Sequence, residues 1–133
     1  MTVKIYVASS LHNATRAREV MDLLESNGYR ITYDWTPHGQ VYSEEDCANI
    51  AILEEQGVLD CDVFLMVFPG RTGSHIEFGL ARSAGKHIIL LQEEAETERK
   101  SFYYLPGIVR VQTEKEAIAH ILDHIGGSKP KED

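Results

Sequence analysis

This sequence predicts a doubly wound α/β domain: five parallel strands with helices on both faces. Three observations predict it. Short β-branched apolar runs alternate with segments of helical period along the chain, the pattern that builds parallel sheets. The run Asp62 to Phe68 is almost continuously apolar, as in a strand buried on both faces. A length of 133 residues suits one hydrophobic core.

Val3 to Ala8 is the first strand, stopped by Ser9-Ser10, small polar residues suited to a loop. Ala17, Val20, Met21, Leu23 and Leu24 recur at helical spacing over 14–26, and Asn27-Gly28 ends that helix. Tyr29 to Asp34 reads as a short second strand, and the breaker-rich Trp35 to Gln40 as a loop. Ser43-Glu44-Glu45-Asp46 supplies an acidic first turn for a helix running to about Leu59. After the third strand, Asp62 to Phe68, a helix spans Ser74 to Ala84 and is closed by Gly85. His87 to Leu91 is the fourth strand, Ile108 to Val111 a weak fifth, and Glu114 to Ile125 the last helix. The sum is a single flavodoxin- or Rossmann-like domain over 1–125. Gln92 to Lys100 is glutamate-rich without periodicity, and the tail Gly126 to Asp133 is expected to be disordered. In such sheets ligands bind beyond the carboxyl ends of the strands, so the loops after strands one, two and three form the expected site.

Composition narrows the function. Apolar residues make up 43% and charged residues 26%, with no window resembling a membrane span. A formal net charge of -8 repels phosphate backbones and anionic lipid, which argues against a nucleic acid polymer or a membrane as partner. Cys47 and Cys61 form no CxxC pair, and Met1 to Lys4 leads straight into a strand, so a reduced, cytoplasmic protein is expected.

Pro69-Gly70-Arg71-Thr72-Gly73-Ser74-His75-Ile76-Glu77 joins the third strand to the third helix, and its amides favour negative charge. It lacks both the Gly-Lys-Ser/Thr of a Walker loop and the three glycines of the dinucleotide fingerprint. Ser74 and Glu77 fit two readings. One is a capping box, Ser-x-x-Glu; the other starts from the helix face, where Leu80, Ala81 and Ala84 should meet the sheet and carry Glu77 inward. Glu54 is a parallel case, central to the arc of Cys47, Ile50, Ala51 and Val58, unless the helix shifts register and leaves it solvated. An unpartnered carboxylate on an apolar face costs several kcal/mol, so it neutralises, pairs or works. Tyr6 can reach one such carboxylate or fill core. Asp34 and Trp35 offer an acceptor and an aromatic plane for a base, or a locally packed turn. His75, His120 and His124 lack the further ligands of a zinc site, so no metal is expected.

Ile5-Tyr6-Val7-Ala8-Ser9, Asp60-Cys61-Asp62-Val63 and above all Gly73-Ser74-His75-Ile76-Glu77-Phe78-Gly79-Leu80-Ala81 resemble the nucleoside 2-deoxyribosyltransferase family and its relatives that hydrolyse nucleotide N-glycosidic bonds. The resemblance spans most of the chain. It implies Glu77 as nucleophile, Tyr6 as the group that positions it, and a general acid eight residues before Asp62, where this chain has Glu54 in place of the family's aspartate. It further implies a homo-oligomer with shared sites, for which Tyr103 and Tyr104 of the Phe102-Tyr103-Tyr104 cluster are candidates. The Pro-Gly-x-x-Gly-Ser/Thr-x-x-Glu pattern also resembles phosphoribohydrolases that release cytokinin bases, but their second glycine-rich block is absent here.

The expected activity is transfer of a (deoxy)ribosyl group between bases through a covalent Glu77 intermediate, with no cofactor and a small nucleoside or nucleotide as partner. Ser9, Ser10, Gly73 and Ser74 would hold the sugar or a 5′-phosphate, with Arg71 or Arg16 supplying charge. Two alternatives stand beside it: a nucleoside 5′-monophosphate N-glycosidase, and a non-catalytic nucleotide-binding module on the same scaffold. A receiver-type signalling domain is disfavoured, because Ser9 and Ser10 stand where its acidic pair would follow strand one.

Overall fold

Val63 to Val67 are all buried, as a strand flanked and covered on every side must be. They form β3 (Val63–Val67), the middle of five parallel strands in the computed structural model, which describes residues 2–93 and 100–126. The others are β1 (Lys4–Ala8), β2 (Arg30–Ile31), β4 (His87–Leu91) and β5 (Val109–Val111), in the order β2-β1-β3-β4-β5. Helices α1 (Ala14–Ser26), α2 (Glu44–Asp60) and α3 (Thr72–Ser83) supply crossovers between strands, and α4 (Glu114–His124) follows β5. The acidic stretch 94–98 and the tail 127–133 lie outside the described residues.

The strand order reverses between β1 and β3, so the loops after these strands diverge and open a crevice at the carboxyl edge of the sheet. Helices α2 and α3 pack against each other over one face. Across the other, Arg16 of α1 bonds Glu114 at the start of α4 and Glu93 after β4. Among the described residues no helix is long and apolar enough to cross a membrane.

The second strand is shorter than its composition predicts. Pairing with β1 ends at Ile31; Thr32 then gives its hydroxyl hydrogen to the Gly57 carbonyl at 2.8 Å. Asp34 closes a turn on the amide and hydroxyl of Thr36, at 2.9 and 2.6 Å. These polar ties pull the chain off the sheet edge, against the β propensity of Tyr33. Helix α2 also departs from expectation: Cys47 and Ala51 are exposed, Ile50 is half-buried, and only Gly57 and Val58 are buried. The arc read as sheet-facing overhangs the crevice instead, and the helix docks through its last turns. There Lys86 Nζ donates to the Leu59 carbonyl at 2.7 Å, satisfying one open end of α2. In α3 the buried positions are Ser74, Phe78 and Ala81, while Ala84 is exposed.

At the opposite, amino edge of the sheet, His87 Nε2 lies 2.8 Å from His120 Nε2, and the His120 ring stacks on His124 at 4.3 Å. Among the described residues no cluster of three or more His, Cys, Asp or Glu is placed to hold a metal ion. Burial, then the neighbouring imidazole charges, pushes His87 and His120 below the ordinary histidine value, with Asp123 opposing at His120. The fold therefore favours neutral rings, and the unfolded chain binds protons first as pH drops below about 6.5, so stability falls there. As pH falls from 7.5 to 5.5, His120→Gln is expected to gain stability relative to the parent, read as the difference between their urea midpoints; a difference that stays constant with pH would clear the cluster of responsibility.

Candidate active site

Tyr6 is fully buried on β1, its ring stacked on Phe64 of β3 at 5.9 Å, with Phe64 in turn stacked on Phe78 of α3 at 6.5 Å. This layer aims the phenol at α3, where its hydroxyl donates to Glu77 Oε2 at 2.9 Å. Glycine at 57 makes the arrangement possible. A Cβ there would stand 2.9 Å from Tyr33 Cβ and 3.0 Å from Tyr6 Cδ1, so only a residue without one lets α2 press onto the tyrosine layer.

Glu77 lines a cleft of about 550 Å³ at the switch point, together with Glu54 and Glu55 of α2, Trp35, and Ser9 and Ser10 from the loop after β1. Burial raises the Glu77 carboxyl, and the charge of Glu54 raises it further, to about 7, with the Tyr6 hydroxyl pulling the other way. Burial likewise raises Glu54, partly offset by His38. Tyr6 is driven far upward by burial and by both carboxylates, so it remains a protonated donor. Two carboxyl groups with raised affinities, one steadied by a phenol, form a site that can hold one proton and one negative charge side by side.

The capping reading of Ser74 and Glu77 does not describe this chain. The helix begins earlier than expected, with Arg71 as its N-cap, and Ser74 Oγ accepts from the Arg71 amide at 2.7 Å. Glu77 is thereby free of capping. Ser9 is likewise occupied: its hydroxyl donates to the Val67 carbonyl at 2.7 Å and accepts from Asn13 Nδ2 at 2.9 Å, clamping the loop after β1 to the end of β3. Ser10 differs, since it is 3% exposed and its Oγ has no hydrogen-bond partner. Gly73 and Ser74 also line the cleft.

Trp35 is buried, its indole nitrogen donating to the Val7 carbonyl at 2.7 Å, which fixes the ring in the cleft wall. Asp34 is placed elsewhere: its carboxylate meets the Arg18 guanidinium at 2.7 Å, and against burial the Thr36 hydrogen bonds, then the Arg18 bond and charge, hold its carboxyl below the usual range. Arg71 borders a shallow depression next to the cleft with Thr72, His75 and Lys100, and Arg16 is engaged by its two glutamates. Tyr103 does not project outward as a shared residue would. It is 4% exposed, pairs its hydroxyl with His75 Nε2 at 2.7 Å and packs edge-on against Phe68. Tyr104 is at the surface under the Arg110 guanidinium.

Sequence reading missed the loop residues His38, Gly39, Gln40 and Val41, which form the cleft's outer wall. The signal was present in the breaker-rich stretch after the second strand, at the carboxyl edge where ligands bind. His38 Nε2 is shielded from solvent without a hydrogen-bond partner.

No protein-family model and no curated protein matches the chain. Solved structures do. A 2-deoxyribosyltransferase from Bacillus psychrosaccharolyticus aligns over 98% of this chain and 100% of its own at 17% identity and a TM-score of 0.69. The Clostridium botulinum CMP N-glycosidase BcmB aligns over 89% and 97% at 22% identity and a TM-score of 0.61. A 2-deoxyribosyltransferase from Leishmania mexicana aligns over 92% and 98% at 14% identity and a TM-score of 0.63. The chain shares their doubly wound fold across almost its whole length.

Two measurements test the site's construction. Gly57→Ala gains about 1 kcal/mol of helix propensity but forces the tyrosine layer apart, so a net loss of roughly 1 to 3 kcal/mol is expected in urea unfolding; a neutral or stabilised variant would refute the close approach. A carboxyl raised from 4.5 to about 7 binds a proton in the fold that the unfolded chain releases, so stability declines as pH rises through that window. Glu77→Gln is therefore expected to be more stable than the parent by roughly 2 to 3 kcal/mol at pH 8 and equal to it near pH 4, whereas no difference at pH 8 would mean the carboxyl is solvated.

Proposed function

We propose that this protein cleaves the N-glycosidic bond of a (deoxy)nucleoside and transfers the sugar to a second base, with Glu77 as nucleophile and Glu54 as general acid. The observation that carries the reading is the Glu77 carboxylate, held by Tyr6 at 2.9 Å on the wall of a cleft it shares with Glu54. The shared fold with deoxyribosyltransferases and a CMP N-glycosidase supports it, as does the resemblance over residues 73–81.

The chemistry follows from the residue types. Loss of a base from C1′ passes through an oxocarbenium-like state, which an adjacent carboxylate stabilises and captures as a glycosyl ester. Glu77 must be ionised for this, and the Tyr6 hydrogen bond favours that form. The departing base nitrogen or carbonyl takes a proton from Glu54, whose hold on a proton burial strengthens. An incoming base reverses the sequence; water in its place gives hydrolysis. The indole of Trp35 serves as an apolar wall for the base, and Ser10 as a partner for the sugar's 5′ end.

A nucleoside 5′-monophosphate hydrolase is the second reading, favoured by the likeness to the CMP N-glycosidase and by the α3 amides beside Ser10. The homo-oligomer belongs to the same proposal. Ile76 of α3, in the cleft lining, is 68% exposed, and Ile52 and Leu53 of α2 are 64% and 49% exposed, apolar surface suited to a second copy of the chain.

Incubation with a 2′-deoxynucleoside, with and without a second free base, separates these outcomes on a chromatogram. Exchange is expected, rising with pH through about 7 as Glu77 ionises. Glu77→Ala is expected to lower the rate at least 1,000-fold with the fold retained, in line with loss of a covalent nucleophile. Tyr6→Phe removes a bond that favours the carboxylate and should move the rising limb to higher pH. Full activity in Glu77→Ala would end the reading.

A further inference from the structure

The cleft is unusually poor in positive charge for a site that would take nucleotides. Three carboxylates line it, Glu54, Glu55 and Glu77, and among its described lining residues there is no lysine or arginine. His38 is the only lining side chain with a basic nitrogen. The start of α3 adds amide dipoles worth a fraction of one positive charge. The guanidinium of Arg16 is spent on Glu93 and Glu114, and that of Arg18 on Asp22, Glu25 and Asp34, while Arg71 and Lys100 border the neighbouring depression, outside the cleft lining. The walls otherwise offer Trp35, Val41, Ile50 and Leu80, apolar surface that strengthens the field of the carboxylates by excluding water. A second, independent feature points to a ligand without phosphate: Ser10, almost fully buried in the cleft lining, has one unpartnered hydroxyl, matched to a single sugar hydroxyl rather than to a dianion.

Resting on the nucleoside reading above, we infer that the cleft takes unphosphorylated nucleosides whose base carries a positive charge, such as N-ribosylated pyridiniums and N7-alkylated purines. The base's charge faces the carboxylates while the ring lies on Trp35. The step balances without an acid. A Glu77 oxygen forms a bond to C1′ as the C1′–N bond breaks, and that bond's electron pair moves onto the ring nitrogen, cancelling its charge. The base leaves neutral. Water then attacks C1′, releases the Glu77 carboxylate and yields the free sugar and one proton, or a second base takes the place of water.

The test compares 7-methyl-2′-deoxyguanosine with 2′-deoxyguanosine, with nicotinamide riboside as a second cation and 2′-deoxyguanosine 5′-monophosphate as an anion. A cationic nucleoside is more labile in any glycosidase, so the readout is KM and its response to salt. KM is expected to be at least fivefold lower for 7-methyl-2′-deoxyguanosine than for 2′-deoxyguanosine at low ionic strength, and to rise with added salt while that of the neutral nucleoside stays constant. The monophosphate should be the poorest substrate of the set. Glu54→Gln should lower kcat at least tenfold more for 2′-deoxyguanosine than for either cation, since only the neutral base needs a proton. Equal KM values, a salt-independent cation, equal loss in Glu54→Gln or a preferred monophosphate would each overturn the inference. Cleavage of 2′-deoxyguanosine without the cations would do so too and leave the nucleoside reading standing; cleavage of no nucleoside would end both.

Discussion

One half-buried hydrogen bond organises this molecule: the Tyr6 hydroxyl on the Glu77 carboxylate, between the first strand and the third helix. A carboxyl group inside a protein is tolerated when its charge is relieved or its proton retained, and Glu77 sits between these states. The layer of Tyr6, Phe64 and Phe78 holds the phenol in line, and Gly57 lets α2 close over it. The same closure brings Glu54 near enough to act on the Glu77 carboxyl. Core packing and site electrostatics are therefore one construction, and the fold tolerates an ionised group where it would otherwise exclude one.

Much of the architecture was legible because strand and helix periods differ and because the central strands are apolar on both faces. Helix α1 begins and ends where Ala14 and Asn27-Gly28 indicate, and β4 coincides with its apolar run. The inward bearing of Glu77 followed from its place on a helix of known pitch. What escaped were features set by partners distant in sequence. Asp34 sits at a strand end where a base could be read, yet Arg18, one helix away, claims it. The apolar arc around Glu54 predicted burial against the sheet, whereas only Val58 of it is buried and Ile50, Ala51 and Glu54 line the cleft, because periodicity reports an apolar face and not what covers it. Nothing in the local pattern around Gly57 announces that a tyrosine from β1 needs its missing side chain.

Hydroxyl groups around the crevice divide into those consumed by the scaffold and one that is not. Ser9 spends its donor on the Val67 carbonyl and its acceptor on the Asn13 side-chain amide, and Ser74 spends both on the Arg71 backbone, joining the turn after β1 to the end of β3 and setting the first turn of α3. Their conformations are thus fixed before any ligand arrives, which reduces the ordering that binding would demand. Ser10 alone keeps its valence open.

The Ser9 clamp makes the crevice mechanically lopsided. Its floor, stitched from two neighbouring strand ends, is stiff, while the opposite wall of His38 to Val41 is anchored chiefly through Trp35. Gly39 on that wall has open space around it, with nothing within 4 Å of where a side chain would begin. Whatever enters meets an unyielding surface beneath and an adaptable one above, so over evolutionary time new molecular shapes can be accommodated by rewriting a handful of positions on one side without disturbing the reactive carboxylate on the other.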